Sequence, residues 1–271
     1  MADIIIIGGG PAGVSAALTA KNRGKSVFII SNGASQSNLW KAHEITNYPG
    51  CPSMSGADIL KTFRGQLDAA GIKAFPGRAL NAVRMSSRFG VSVGQDFFDA
   101  GALILASGVV QASTYEGELD FLGRGVSYCA TCDGMLYKGK KVAVIGLSDE
   151  AEKEADALRS LGVDVMYFDR TFAKNYKILG NEQHVTAIEA EGREFPVDGV
   201  FILRNTIAPS SFLNGIALDE WSHIQVDRSM KTSVDGVFAA GDCTGKPYQI
   251  AKAVGEGNIA ALSACEYLDK K

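Results

Sequence analysis

Two cysteines separated by two residues, Cys129-Ala130-Thr131-Cys132, run directly into Asp133-Gly134. That spacing lets a disulfide form and break with little backbone movement, and a neighbouring carboxyl can give or take the proton that thiol exchange requires. The competing chemistry is zinc, which wants two further ligands at short spacing. Cys51, Cys243 and Cys265 stand alone, and His43, His184 and His223 fall in no ligand pattern. Redox chemistry at Cys129, Cys132 and Asp133 is therefore the expectation, with no metal.

A second kind of chemistry is binding. Gly8-Gly9-Gly10-Pro11-Ala12-Gly13 is a G-x-G-x-x-G turn. Its first glycine permits the tight turn, the second lets backbone approach a pyrophosphate, and the third lets a helix pack on the sheet with its N-terminus facing the phosphates. Near the other end, Val237-Phe238-Ala239-Ala240 delivers Gly241-Asp242-Cys243. A carboxylate at the carboxyl end of a strand, where doubly wound sheets hold ligands, accepts a hydrogen bond from a polyol hydroxyl.

The elements that must position these residues can be read from pattern. Ile4-Ile5-Ile6-Ile7 is a continuous β-branched run, as in a buried parallel strand, followed by the glycine turn, a small-residue helix through Ala20 closed by Gly24, and a second strand from Ser26 to Ile30. This is a βαβ unit, although Ile30-Ser31-Asn32 ends it without the acidic residue that binds a ribose. The pattern recurs weakly in mid-chain: Lys141 to Ile145 as a strand, Gly146 as the turn, Glu150 to Leu161 at helical spacing, and Val163 to Phe168 as the returning strand. Polar and glycine residues at Gln111–Gly117 and Ser233–Gly236 mark the crossings between units.

Bulk properties bound the rest. The chain has 271 residues, 46% hydrophobic and 21% charged, enough for two globular domains. A net charge of -3 argues for neither a nucleic-acid nor a membrane surface, and no apolar run approaches the ~18 residues of a membrane span. Five cysteines and no basic, apolar leader at the start point to a reducing, cytoplasmic setting.

Taken together, these segments resemble the low-molecular-weight thioredoxin reductases over almost the whole chain. The likeness is carried by Phe121 to Gly134, by Asn47-Tyr48-Pro49-Gly50, by Ala106-Ser107-Gly108, by Gly236 to Cys243, and by Gln249 with the helix Gly257 to Leu268. The resemblance implies an α/β fold of two Rossmann-like domains of three-layer ββα type. An FAD domain (1–112 and 237–271) would be interrupted by a smaller, degenerate pyridine-nucleotide-like domain carrying the Cys-x-x-Cys (113–236). It implies that Cys132 faces the flavin, Cys129 attacks thioredoxin, and Asp133 is the acid. FAD would be held by Gly8, Gly10, Pro11, Ala12, Gly13, Asn47, Ser107, Gly108, Gly241, Asp242, Gln249 and Ile250, in a homodimer.

The departures from that family lie in one place. Its Gly-x-Gly-x-x-Ala turn is here Gly146-Leu147-Ser148-Asp149-Glu150-Ala151, with Ser148 at the second glycine and acidic residues (Asp149, Glu150, Glu152, Glu154) where phosphate would lie. Its basic cluster for NADPH is replaced by Phe168-Asp169-Arg170-Thr171, and its glycine turn beside the nicotinamide by Ile202-Leu203-Arg204-Asn205-Thr206. The chain is also shortened around Lys174 to Val185. This combination resembles the ferredoxin-dependent flavin thioredoxin reductases, which implies ferredoxin as electron donor. Two alternatives stay open. One is an NADH- or NADPH-dependent reductase, since Asp169 stands close to the ~20-residue spacing at which an acidic residue binds an NAD ribose. The other is a non-catalytic flavin redox sensor.

Overall fold

The computed structural model describes residues 2–33, 37–51, 53–108, 115–148, 150–204 and 212–271, with the Cys132 side chain also outside the description. The chain divides into two compact units, residues 1–111 with 208–271, and residues 112–207.

The first unit is built on strand β1 (Ala2–Ile7), whose Ile4, Ile5 and Ile6 are fully buried. A strand apolar on both faces must be covered on both, which requires neighbours in a parallel sheet. β1 lies between β2 (Val27–Ser31) and β6 (Asp96–Leu105), parallel to both. β3 (Ala74–Pro76) extends the sheet beyond β2. Strand β6 does two jobs. Its first half pairs antiparallel with β5 (Arg88–Val93), which pairs with β4 (Ala79–Met85). Its buried second half pairs in parallel with β14 (Val237–Ala239). Helices α1 (Pro11–Asn22) and α5 (Ile250–Asp269) cover one face, where Ile4, Ile6, Ala16, Ala20, Ala260, Ala261 and Ala264 form the core; α2 (Gly56–Ala69) adds Leu67 to it.

The second unit has three layers. Its central sheet, all parallel, runs β7 (Val126–Ser127), β13 (Gly199–Leu203), β8 (Lys141–Gly146), β9 (Asp164–Phe168). Alternation along β8 sorts its side chains: Ala143 and Ile145 join one core cluster, Val142 and Val144 the other. The first cluster includes Ile178 and Ile188 of a three-stranded antiparallel sheet, β10 (Tyr176–Gly180), β11 (Val185–Ala190) and β12 (Arg193–Pro196). The second includes Ala151, Ala155 and Leu158 of helix α4 (Ala151–Ser160) and Ala130 of the short helix α3 (Ala130–Asp133).

The first division falls at 111/112. The second falls at 207/208, not at Ser233–Gly236, because residues 212–236 fold back onto β14 and its turn. Ile224 N–H donates to Cys243 O (2.8 Å), Thr232 N–H to Val237 O (3.0 Å), and Ala239 N–H to Met230 O (3.0 Å). These are turns and isolated bridges with no periodic signal to betray them.

Candidate active site

Strand β7 ends on Ser127, and α3 begins immediately after Cys129. The helix is held by burial of Ala130 against α4, and Gly134 follows because a Cβ there would press on Leu158 and Leu161 at 2.8 and 2.9 Å. Cys129 is 7% exposed and disulfide-bonded, whereas Cys51, Cys243 and Cys265 are free thiols. The expected pairing partner, the Cys132 side chain, lies outside the described residues. Thr131 Oγ1 sits 3.4 Å from Cys129 Sγ; a disulfide sulfur carries no proton, so the threonine hydroxyl donates. The buried Ser127 hydroxyl lies at the centre. It accepts from Cys129 N–H (3.1 Å), donates to Asp133 Oδ2 (2.7 Å), and lies 3.3 Å from Cys129 O.

A buried ion pair lies beside this segment. Glu118 is fully buried and receives both guanidinium nitrogens of Arg204, one at 2.8 Å. It also accepts from Tyr128 Oη (2.8 Å) and Tyr115 N–H (2.9 Å), and the Arg204 guanidinium lies over the Tyr115 ring. Burial works against the charge on Arg204, but the hydrogen bond and charge of Glu118 outweigh it and raise its proton affinity above the ordinary value. Tyr128 immediately precedes Cys129, so the network anchors the chain entering the dithiol turn.

In the first unit the glycine turn sits at the carboxyl end of β1. Gly8 N–H donates to Ile30 O (2.8 Å), and a Cβ on Gly8 would overlap Ala106 O and approach Ser107 N. Gly108 adopts φ +77. A Cβ on Gly13 would overlap Gly8 O, and one on Gly241 would press on Ala12 at 2.9 Å. These contacts bring Gly8, Ala12, Gly13, Ser107 and Gly241 together at the ends of β1, β6 and β14, beside Pro11, which opens α1. Gly10 differs: a Cβ there meets nothing within 4 Å. It N-caps α1 without a side-chain cap, and no acidic residue stands in the first turn. Open space before an uncapped helix N-terminus fits a pyrophosphate.

Asp242 follows Gly241. Burial raises its carboxyl above the ordinary value, opposed by Lys252 and reinforced by Glu256, and it accepts no hydrogen bond from the described residues. A polyol hydroxyl would supply one. Its turn is clamped from α5: Lys252 Nζ donates to Gly241 O (2.8 Å), Thr244 Oγ1 (3.0 Å) and Gly245 O (2.6 Å), while Glu256 accepts from Gly241 N–H (2.8 Å). Asn47 Nδ2 donates to Gln249 Oε1 (3.0 Å), and Gln249 caps α5 just before Ile250.

The mid-chain turn is filled by the protein itself. A Cβ on Gly146 would overlap the Tyr167 hydroxyl, so that phenol occupies the space above the first glycine. Ser148 is 8% exposed, and its Oγ has no partner among the described residues. Helix α4 starts after Glu150 with Glu152 and Glu154 in its first turn. Asp149, Asn205 and Thr206 lie outside the described residues. Asp169 Oδ1 accepts from Thr171 N–H (2.7 Å) and Thr171 Oγ1 (2.6 Å), which hold its carboxyl below the ordinary range.

Residues 2–172 and 170–257 match the pyridine nucleotide-disulphide oxidoreductase family. The chain belongs to that family. Its members with this architecture are FAD-binding flavoproteins. The ferredoxin-flavin thioredoxin reductase of Clostridium acetobutylicum superposes with a TM-score of 0.90 at 38% identity, covering 99% of this chain and 98% of that one. A thioredoxin reductase of Gloeobacter violaceus superposes at 0.78 with 30% identity, covering 99% and 94%. The thioredoxin reductase of Helicobacter pylori is 34% identical over 313 residues, 99% of each protein. Within this pyridine nucleotide-disulphide oxidoreductase, Glu118, Ser127, Tyr128, Tyr167, Lys252 and Glu256 escape sequence reasoning. Only Ser127 and Tyr128 carried a signal, their adjacency to Cys129.

Proposed function

We propose that this chain is a thioredoxin reductase that draws its electrons from reduced ferredoxin. The observation that carries the reading is the filled strand end in the second unit. Tyr167 covers Gly146, Ser148 is turned into the protein, and Arg204 after β13 is locked to Glu118. A pyridine nucleotide in an open parallel sheet would need that ground at the carboxyl ends of β8 and β13. Likeness to a ferredoxin-flavin thioredoxin reductase supports the same reading.

In this proposal Gly8, Gly10 and Gly13, with Pro11 and Ala12, hold the pyrophosphate of FAD. Asp242 takes a polyol hydroxyl, and Asn47, Ser107, Gly108, Gly241, Gln249 and Ile250 line the remainder. Bound FAD would supply the exchange between single electrons and two-electron disulfide chemistry. A ferredoxin near about −400 mV and a thioredoxin near about −270 mV leave roughly 6 kcal/mol downhill for two electrons.

Once the Cys129–Cys132 disulfide is reduced, the Cys129 thiolate attacks one sulfur of the thioredoxin disulfide. That S–S bond breaks, a mixed disulfide forms, and Asp133 gives its proton to the expelled thiolate. The Cys132 thiolate then attacks Cys129 Sγ, restores the internal disulfide, and releases the second thioredoxin thiolate. The proposal includes a cytoplasmic homodimer; among the described residues no helix is long and apolar enough to cross a membrane.

The test is anaerobic reduction of the holoprotein, following flavin absorbance with reduced ferredoxin, NADPH and NADH in parallel. Ferredoxin alone should bleach the flavin, and thioredoxin should then restore it. Rapid bleaching by either nicotinamide would overturn the ferredoxin assignment.

A further inference from the structure

We propose that Ser127 is a positioning residue whose hydroxyl couples the protonation state of Asp133 to the backbone of Cys129. The inference rests on the reading above, in which Cys129 attacks and Asp133 is the acid. Ser127 Oγ has one proton and two lone pairs. It meets three groups at hydrogen-bonding distance: Cys129 N–H at 3.1 Å, Asp133 Oδ2 at 2.7 Å and Cys129 O at 3.3 Å. The first is a fixed donor. The other two are both acceptors when Asp133 is ionised, and a single proton must choose between them.

The choice follows from charge. A carboxylate is the stronger acceptor, so the hydroxyl proton points to Asp133 while that group is ionised. When Asp133 takes up a proton it becomes a donor to Ser127 Oγ, and the hydroxyl proton turns to Cys129 O. Both arrangements satisfy every group, with two bonds accepted and one donated in the second. The rotor is 5% exposed, so water does not compete for it. Rotation therefore changes the hydrogen bonding of the Cys129 peptide groups each time Asp133 gains or gives up its proton. No covalent bond changes and no electron moves in this device.

The surroundings leave Asp133 as the carboxyl partner of the Ser127 hydroxyl. Helix α4 presents Ala151, Ala155 and Leu158 to this side, β8 presents Val142 and Val144, and β13 presents Phe201 and Leu203, all apolar. Among the described residues the titratable neighbours are Cys129, a thiol once the disulfide is reduced, and Tyr137, whose phenol is raised above its ordinary value by burial first, then by the charges of Asp133 and Asp198. That phenol stays protonated through the range in which thiol exchange is measured.

The experiment uses reduced holoprotein and oxidised glutathione as the disulfide probe, with the rate of internal disulfide formation followed from about pH 5 to pH 9. Wild type shows, besides the limb of the attacking thiol itself, a second limb that Asp133→Asn removes. In Ser127→Ala the carboxylate loses a hydrogen bond that favours its charged form, so the limb moves to higher pH. The rate within the limb changes by about three- to tenfold. Ser127→Thr, which keeps the hydroxyl, returns the limb to the wild-type position. A uniform rate loss in Ser127→Ala with the limb unmoved overturns the coupling and leaves the Asp133 assignment intact. A second limb that survives in Asp133→Asn overturns both. Should Ser127→Ala fail to fold, the ¹⁵N amide shift of Cys129 in oxidised wild-type holoprotein gives the answer. It should follow the Asp133 titration and lose that dependence in Asp133→Asn; a shift indifferent to pH overturns the proposal.

Discussion

Gly10 and Gly13 belong to one turn, yet a methyl group meets opposite fates at them. At Gly13 it would overlap the Gly8 carbonyl oxygen, whereas at Gly10 it enters open space. Gly13→Ala should cost about 1–3 kcal/mol of apoprotein stability. Gly10→Ala should change stability by no more than about 0.5 kcal/mol but weaken FAD at least about tenfold, because the Cβ stands where phosphate approaches. Urea unfolding of apoprotein and an FAD titration check the pair. Full FAD affinity in Gly10→Ala would mean this turn does not cradle the pyrophosphate. The glycine turn and the Cys-x-x-Cys were legible in sequence because their meaning lies in spacings of a few residues. Glu118 and Arg204 were not, being far apart in sequence and ordinary charged residues until a fold buries them together. Ser127 lies within the stretch Phe121 to Gly134 that carries the resemblance, but nothing in its type foretells a hydroxyl shared between a carboxylate and two backbone groups.

Helices α1 and α5 approach closely because their facing residues are small. A Cβ on Gly257 would overlap Ala12 O, and Ser15 Oγ donates to Val254 O at 2.7 Å across the same seam. Helix propensity favours alanine over an interior glycine by about 1 kcal/mol, which makes α5 a clean comparison of propensity with packing. Gly255 is exposed with nothing within 4 Å of its would-be Cβ, so Gly255→Ala should raise Tm by about 2–4 °C. Gly257→Ala should lower Tm instead, since the helices must separate to admit the methyl group. Differential scanning calorimetry decides it; a higher Tm for Gly257→Ala would mean the seam yields more readily than its geometry indicates. Elements as such were readable where a continuous apolar run, a small-residue stretch or helical spacing was bounded by a glycine turn, as in β1, α1, β8 and α4. The division at 207/208 leaves no such trace, because residues 212–236 hold their position through turns and isolated bridges, which carry no period.

The two units differ in the probes they carry as well as in their chemistry. Both tryptophans, Trp40 and Trp221, belong to the first unit, while the second has tyrosines and no tryptophan. Tryptophan fluorescence therefore reports the unit that holds the glycine turn. FAD at about 100-fold over its Kd should stabilise that unit by about 2.7 kcal/mol, seen as a higher tryptophan-detected unfolding midpoint. No movement with saturating FAD would place the cofactor elsewhere. The insertion also has a consequence in time. Strand β6 leaves the ribosome well before its neighbour β14, with the whole second unit synthesised between them. At about 5–20 residues per second, α1 waits roughly ten to fifty seconds for α5 to emerge. Through that interval α1 packs on β1 without α5 beside it, and nothing stands where Asp242 and Gln249 will be. The nascent first unit is thus a natural client for chaperones, and the flavin site proposed for it comes into being only as helix α5 clears the exit tunnel.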